Sequence, residues 1–336
     1  MGTFLKNMGK RLWHIAAGLV LAGALAATPA AAQDKIKAAV IFGVSNPASV
    51  NGWDRGHYQG VRKLIDGYGW DVTIAENVPF PLIAGTAENY AKAGYQVVVF
   101  TSSGQYKAWD QVAPNYPDTI FAMLSTTSTL PESQNVVAYE PDFFAYGIIN
   151  GLIAAQSTQS NKIAGVAGLP VKAVEDMFSG IIEGAKAANP DVEFLHAISG
   201  DWTNIPRARE VTALQIQRGA DVVLGNAGVG TRGILDASQS RKAKFIGYAT
   251  DWAEDAPDIV LTSVILGIDG WYDALAKDVV AGKVEPKIHT FGAETFKVMP
   301  LNDKLLSAEQ IAKIEDSVRR YQAGETTVPV VPHKFK

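Results

Sequence analysis

The chain has 336 residues, no cysteine and a formal net charge of −4. This length suits two domains of about 150 residues each. The lack of cysteine excludes thiol catalysis and thiolate metal sites, and the acidic balance argues against a nucleic-acid partner, which is bound through clustered positive charge.

The first 32 residues predict a secretory signal peptide. Three basic residues lie within the first 11 positions, an apolar run follows over 12–27, and a small-residue cleavage site ends at Ala32. This order is typical of an export signal. About 15 apolar residues are fewer than the roughly 20 that a membrane-spanning helix needs, so a retained membrane anchor is the less favoured alternative.

Cleavage near Ala32 would remove three Lys/Arg and no acidic residue, so the net charge of the exported chain becomes −7. No later run is long and apolar enough for a membrane span, and we therefore expect no membrane insertion. The exported chain also has no cysteine to accept a lipid. In a cell with an outer membrane, we expect a monomer that is free in the periplasm.

Short β-branched runs alternate with longer amphipathic segments along the chain, which predicts parallel sheets with helices on both faces. The first half contains predicted strands or helices at 36–42, 52–68, 71–75, 84–93, 96–100, 108–113, 119–123, 136–138 and 143–156. The pattern restarts with segments at 162–167, 175–188, 194–198, 206–218, 221–224, 234–240 and 244–248.

The restart predicts two doubly wound parallel-sheet lobes of similar design, because 90–100 and 217–224 have the same helix–Gly–strand pattern. We assign 33–140 plus about 265–290 to lobe 1, and 141–264 plus about 291–336 to lobe 2. The segments 259–265 and 296–301 are expected to cross between the lobes as a multi-strand hinge. Ligands of such sheets bind beyond the carboxyl ends of the strands, which predicts a site in the cleft between the lobes.

Residues 228–233 match the dinucleotide-binding pattern GxGxxG, and Asp251 lies at a suitable distance for a ribose contact. The motif is far from the first βαβ unit, and an exported protein rarely meets NAD. We therefore interpret it as a tight strand-to-helix turn and predict no cofactor. The common hydrolase, zinc-protease and Walker patterns do not occur, and the histidines after the signal peptide lack metal-ligand spacing, so neither an enzyme nor a metal site is predicted.

Aromatic and polar side chains follow several predicted strands, where the cleft should be. Indole rings stack well on planar ligands, and amides or carboxylates can bind the polar edge of a ring. The alternative for each is structural, since a Trp can pack on its own lobe and Ser or Asn can cap a helix. The candidate ligand-binding residues are Asn51, Trp53, Asp54, Ser102, Ser103, Tyr106, Trp202, Asn226, Asp251 and Trp252.

The exported chain resembles the basic-membrane-protein (PnrA-like) family of substrate-binding proteins for ABC importers, which includes purine-nucleoside receptors. The resemblance extends over some 250 residues. It rests on the segments 51–54 (NGWD), 58–60, 181–190 (IIEGAKAANP), 200–202, 219–223, 226–228, 247–257 and 261–264.

This resemblance implies a type I periplasmic-binding-protein fold, a ligand held by closure of the two lobes, and a membrane permease as partner. It implies that a purine lies between Trp53 and Trp202, and that Asp251 contacts the ligand's polar groups. Three positions depart from the family. The usual Asp-x-Ser-Phe-Asn loop begins with Val50 and ends with Asp54, and the Lys of nucleoside binders is Leu266.

These departures favour a free base or another small planar compound over a nucleoside. The nearest alternative ligand is a sugar, because related two-lobed receptors stack aromatic rings on sugars. A periplasmic enzyme acting on a nucleobase or nucleoside is a second alternative, and it would need a titratable pair or a metal in the cleft. A sensory receptor for a membrane kinase is a third.

Overall fold

The computed structural model describes residues 35–335, so the predicted signal peptide lies outside the described residues. The strands are β1 (Lys37–Ile41), β2 (Asp71–Ala75), β3 (Val97–Phe100), β4 (Ile120–Met123), β5 (Val136–Pro141), β6 (Lys162–Ala167), β7 (Glu193–Ile198), β8 (Val222–Asn226), β9 (Lys244–Ala249), β10 (Val260–Ile265), β11 (Ile288–Phe291) and β12 (Lys297–Val298). The α-helices are α1 (Trp53–Arg62), α2 (Ile83–Lys92), α3 (Tyr106–Val112), α4 (Phe143–Ser157), α5 (Lys172–Ala188), α6 (Ile205–Gln217), α7 (Thr231–Arg241), α8 (Ile268–Val280) and α9 (Ala308–Gln322).

The strands form two six-stranded sheets of the same design. The first has the order β2-β1-β3-β4-β5-β11, and the second has the order β7-β6-β8-β9-β10-β12. All pairs are parallel except β10 with β12. The predicted α/β class with two doubly wound parallel sheets is confirmed.

The central strands are mostly apolar because helices cover both faces of a parallel sheet. Strand β3, with the sequence VVVF, is fully buried in the first sheet, and β8 is fully buried in the second. Burial on both faces removes the polar alternation of a half-exposed strand. The sheets are therefore rigid supports for the loops that follow their strands.

The chain passes between the sheets three times, after β5, after β10 and after β11. The predicted crossing by 259–265 is wrong, because β10 pairs with β9 inside the second sheet and is buried there. Strand β12, within the predicted crossing segment 296–301, pairs with β10 in the same sheet. The connections just before α4, α8 and β12 make the crossings instead. The boundaries of the two lobes as moving units stay a prediction.

Within residues 35–335, no helix is long and apolar enough to cross a membrane.

Candidate functional site

A cavity of about 660 Å³ lies at the carboxyl ends of strands from both sheets. Its walls come from the loops after β1, β3 and β4 on one side and after β6, β7 and β8 on the other. In each sheet the strand order reverses direction here, between β1 and β3 and between β6 and β8. Such switch points are where open α/β sheets bind ligands.

The first aromatic wall is Trp53, at the start of α1. Gly52 precedes it with a φ of 93°, a left-handed conformation that glycine adopts without strain. The indole N–H of Trp53 donates to the Thr101 carbonyl at 2.8 Å, and its ring lies 6.4 Å from that of Phe143 at an interplanar angle of 26°. Its orientation is therefore fixed by contacts to two other residues that line the cavity.

Helix α1 lies close against α8 because two of its residues are glycines. A Cβ on Gly56 would come within 3.0 Å of Ile268, and one on Gly60 would come as close to Tyr272. This tight packing sets the position of the α1 N-terminus, and with it the position of the residues that face the cavity.

The second aromatic wall is Trp202, in the loop after β7. Its ring packs directly on Gly168, where an added Cβ would come within 3.0 Å of the indole. Its backbone carbonyl accepts from the Gly230 N–H at 3.0 Å. Trp202 is half-buried and lines the cavity from the second sheet.

Asp54 is the buried carboxylate of the cavity. It is 9% exposed, and burial raises the pKa of its carboxyl to about 6, while a hydrogen bond from its own backbone N–H acts in the opposite direction. An acid in the first turn of a helix is normally favoured by the helix dipole. Here the loss of solvation outweighs that effect.

Because the folded-state pKa of Asp54 lies above its usual value of 3.8, ionisation of this residue destabilises the folded protein as the pH rises from about 4 to above 6. The full cost at neutral pH is on the order of 3 kcal/mol. We expect Asp54→Asn to raise the urea midpoint of the ligand-free protein at pH 7.5 and to change it little at pH 4. Asp110→Asn, an exposed control on α3, should show no such pH-dependent gain.

Two residues that line the cavity carry buried hydroxyl groups without partners. The buried oxygens of Tyr248 and Thr126 make no hydrogen bond to any residue within 35–335. Both residues line the cavity. An unpaired buried hydroxyl costs free energy that a ligand can recover by bonding to it.

Six of the candidate residues from the sequence line this cavity together. They are Trp53, Asp54, Ser102, Ser103, Trp202 and Asn226. The Ser102 hydroxyl also accepts from the Gly104 N–H and caps a short 3₁₀ turn. Ser102 therefore has a structural role besides the predicted ligand contact. Direct ligand contact by each of the six stays a prediction.

The other four candidates lie outside the cavity lining. Asn51 donates to the Asp251 carbonyl at 2.9 Å and to the Asp255 carboxylate at 3.0 Å, which connects the two sheets through the loops after β1 and β9. The Asp251 side chain accepts from the Ala253 N–H at 3.0 Å and from Ser263. Trp252 is 2% exposed.

The indole of Trp252 donates to the Tyr248 carbonyl at 2.9 Å, so this ring belongs to the core of the second sheet. Tyr106 accepts from the Thr129 hydroxyl at 2.9 Å. In this structure the contacts of these two side chains are to protein, and a role for either in binding stays a prediction.

Several cavity residues are missing from the candidates predicted from sequence, among them Phe80, Thr126, Phe143 and Tyr248. Tyr248 ends a predicted strand, so its position at a carboxyl end was a usable signal. Phe143 begins α4, directly after the first crossing. Phe80 begins a short 3₁₀ turn and Thr126 lies in a loop, and no sequence pattern distinguishes either residue.

The GxGxxG segment forms a 3₁₀ turn, Gly228–Gly230, followed by α7. Gly228 has a φ of 56° and lies against the Trp202 backbone. A Cβ on Gly233 would collide with the Ile205 carbonyl of α6. Both glycines therefore have a packing role, as the structural interpretation expects. The described part of the chain contains no cluster of His, Asp or Glu that could hold a metal ion.

The family profile described as "ABC transporter substrate-binding protein PnrA-like" (Bmp) matches residues 37–330. The chain belongs to the Bmp family. One curated relative is a purine-binding protein of Brucella abortus, 26% identical over 309 residues that cover 89% of this chain and 85% of the relative. The Bmp family therefore accounts for the resemblance seen in the sequence, and the chain is a substrate-binding protein of the ABC transporter class.

Solved structures confirm the fold. A solute-binding protein of an ABC transporter from Aeropyrum pernix aligns with a TM-score of 0.77 at 18% identity, covering 88% of this chain and 94% of that one. A periplasmic solute-binding protein from Actinobacillus succinogenes, solved with D-allose, aligns with a TM-score of 0.63 at 14% identity, covering 80% and 99%. The type I periplasmic-binding-protein fold of this Bmp protein follows from these similarities.

Proposed function

We propose that this protein is exported to the periplasm, binds a purine base or nucleoside in the cavity between its two sheets, and delivers it to a membrane permease. The observation that carries the proposal is the pair of indole rings, Trp53 and Trp202, which line one cavity from opposite sheets. Aromatic faces on both sides suit a flat heterocycle. The Brucella relative named as purine-binding supports the same ligand class.

The charge of the cavity supports an uncharged or cationic ligand. Among the described residues that line it, none is Lys or Arg, whereas Asp54 and Asp201 are acidic. A phosphate or carboxylate ligand would normally be paired with a cation or a set of N–H donors. This composition therefore favours a base or nucleoside over a nucleotide.

A ligand that contacts both aromatic walls stabilises the arrangement in which the two sheets enclose the cavity. The equilibrium shifts only by the contacts that exist in that arrangement, here those to Trp53 and Trp202 together. Closure of two domains around a ligand is a common form of such a shift. A permease can then distinguish loaded from empty protein by the relative position of the lobes.

Thermal-shift screening tests the ligand class. The panel contains purine bases, purine nucleosides, a flavin, D-allose and D-glucose, each followed by chromatography for turnover. A ligand at about 100 times its dissociation constant stabilises the folded state by about 2.7 kcal/mol. We expect stabilisation by purines without turnover. Stabilisation by sugars alone would favour the sugar-receptor alternative, and conversion of a hit would favour the enzyme.

A further inference from the structure

We propose that Asp54 and Tyr248 together recognise one edge of the ligand, and that this edge presents two adjacent N–H donors beside a carbonyl oxygen, as in a 2-amino-6-oxopurine such as guanine. This inference rests on the proposed function, because it specifies the ligand of the same cavity.

The Asp54 carboxylate lacks the donors that a buried charge requires. It is 9% exposed and lines the cavity, and among residues 35–335 no other residue donates a hydrogen bond to its side chain. An ionised carboxylate is purely an acceptor, with room for two parallel N–H donors. The other carboxylate of the lining, Asp201, is exposed and already accepts from the backbone N–H and hydroxyl of Thr203. Asp54 is therefore the acceptor left for the ligand.

The Tyr248 hydroxyl supplies the complementary donor. It is buried at the same cavity without a partner in the described part of the chain. Burial is the largest cause of the raised pKa of the Tyr248 phenol, and the neighbouring Tyr146 is the second. The Asp54 carboxylate charge is the third cause, so Asp54 lies close to Tyr248. A neutral hydroxyl beside a carboxylate matches a carbonyl oxygen beside N–H groups.

This pairing distinguishes the common purines. Guanine presents its O6 carbonyl, its N1–H and its 2-amino group side by side, which matches one hydroxyl donor and two carboxylate oxygens. Hypoxanthine lacks the 2-amino donor, and adenine places a ring-nitrogen acceptor against the carboxylate. A buried polar group that loses its partner typically costs about tenfold or more in affinity. We expect guanine to bind at least tenfold more tightly than either.

The same pairing makes affinity depend on pH. Burial raises the Asp54 pKa to about 6, so protonation below pH 6 removes one acceptor and weakens binding by a factor that approaches tenfold per pH unit below the pKa. The neighbouring titratable groups on the packed elements stay neutral in this range, because burial raises the pKa of Tyr146, Tyr248 and Tyr272 and lowers that of His57 to about 3. The nearby acids of the loop after β9 and of α8 are exposed: Asp251, Asp255 and Asp269.

The test is titration of guanine, hypoxanthine and adenine at pH 5.0, 6.0 and 7.5, followed by tryptophan fluorescence. The proteins are the wild type, Asp54→Asn, Tyr248→Phe and the exposed control Asp110→Asn. We expect the wild type to prefer guanine, with affinity falling below pH 6. The amide of Asp54→Asn offers one donor and one acceptor. This variant should bind guanine about 10- to 100-fold more weakly and adenine more tightly than the wild type does, and its affinity should no longer depend on pH.

Tyr248→Phe should weaken the binding of guanine and hypoxanthine, which carry the carbonyl, by about tenfold and should change the binding of adenine less. Purine binding with no preference for guanine, or with an unchanged pH profile in Asp54→Asn, would overturn this inference and leave the proposed function intact. If the wild type binds none of the three bases or their nucleosides at any pH, both proposals are wrong. The wild-type selectivity and pH profile decide the matter even if a variant folds poorly.

Discussion

Replacing Trp202 with alanine is expected to weaken binding of the purine by about 1–3 kcal/mol, which is about 5- to 150-fold in the dissociation constant. The indole is half-buried, packs on Gly168 and lines the cavity. Alanine removes the stacking face while leaving the backbone hydrogen bond to Gly230 in place. Isothermal titration with the best purine of the screen measures the loss.

Two further variants separate stacking from general damage. Trp202→Phe keeps a ring and should retain most of the affinity. Gly168→Ala leaves Trp202 in the chain but places a methyl group against its ring, so we expect a loss of affinity approaching that of Trp202→Ala.

Trp53→Ala, on the opposite wall, should weaken binding by a similar 1–3 kcal/mol. Unchanged affinity in both Trp53→Ala and Trp202→Ala would refute a ligand held between the two indoles.

The second large effect concerns stability and the packing of α4 on α5. Four glycines, Gly147, Gly151, Gly180 and Gly184, let the two helix backbones touch, and a Cβ on any of them would come within 3.0 Å of backbone atoms of the other helix. Gly180→Ala would press its methyl group against the Phe144 carbonyl. Backbone atoms cannot rotate away as a side chain can. We expect a loss of about 1–3 kcal/mol or more in the free energy of unfolding.

The matched control is Gly85→Ala in α2, where an added Cβ meets no atom within 4 Å. Alanine there should stabilise the protein by about 0.5–1 kcal/mol, because it has the higher helix propensity. Urea unfolding of both variants measures the difference. Equal effects of the two substitutions would mean that the close contact of α4 and α5 is not what these glycines provide.

Much of the fold could be predicted from sequence because parallel sheets leave a strong pattern. Strands β2 and β6 have the predicted bounds, since their apolar runs stop at polar or glycine residues. Helices α8 and α9 lie where no element is predicted. Both follow β10, beyond the last clear alternation of strands and helices. The crossing predicted over 259–265 was wrong for a related reason: a buried strand such as β10 looks the same in sequence whether it lies inside a sheet or crosses between sheets.

The cavity was predictable to the extent that its residues follow strands. Trp53 and Trp202 lie there because both sheets present their carboxyl ends to the same cavity. Trp252 also follows a strand, yet its ring turns into the core of the second sheet. Sequence gives the position of a residue along a strand but not the direction of a side chain in the loop beyond it. Phe80 reaches the cavity from a loop before a helix, and only three-dimensional packing reveals it.

A crystal structure of the protein co-crystallised with guanine tests the central claim most directly. We expect the purine ring between Trp53 and Trp202, with its amino–carbonyl edge toward Asp54 and Tyr248. A purine bound on the surface, or a cavity that holds a sugar while purines fail to enter, would contradict the assignment of this cavity as a purine site.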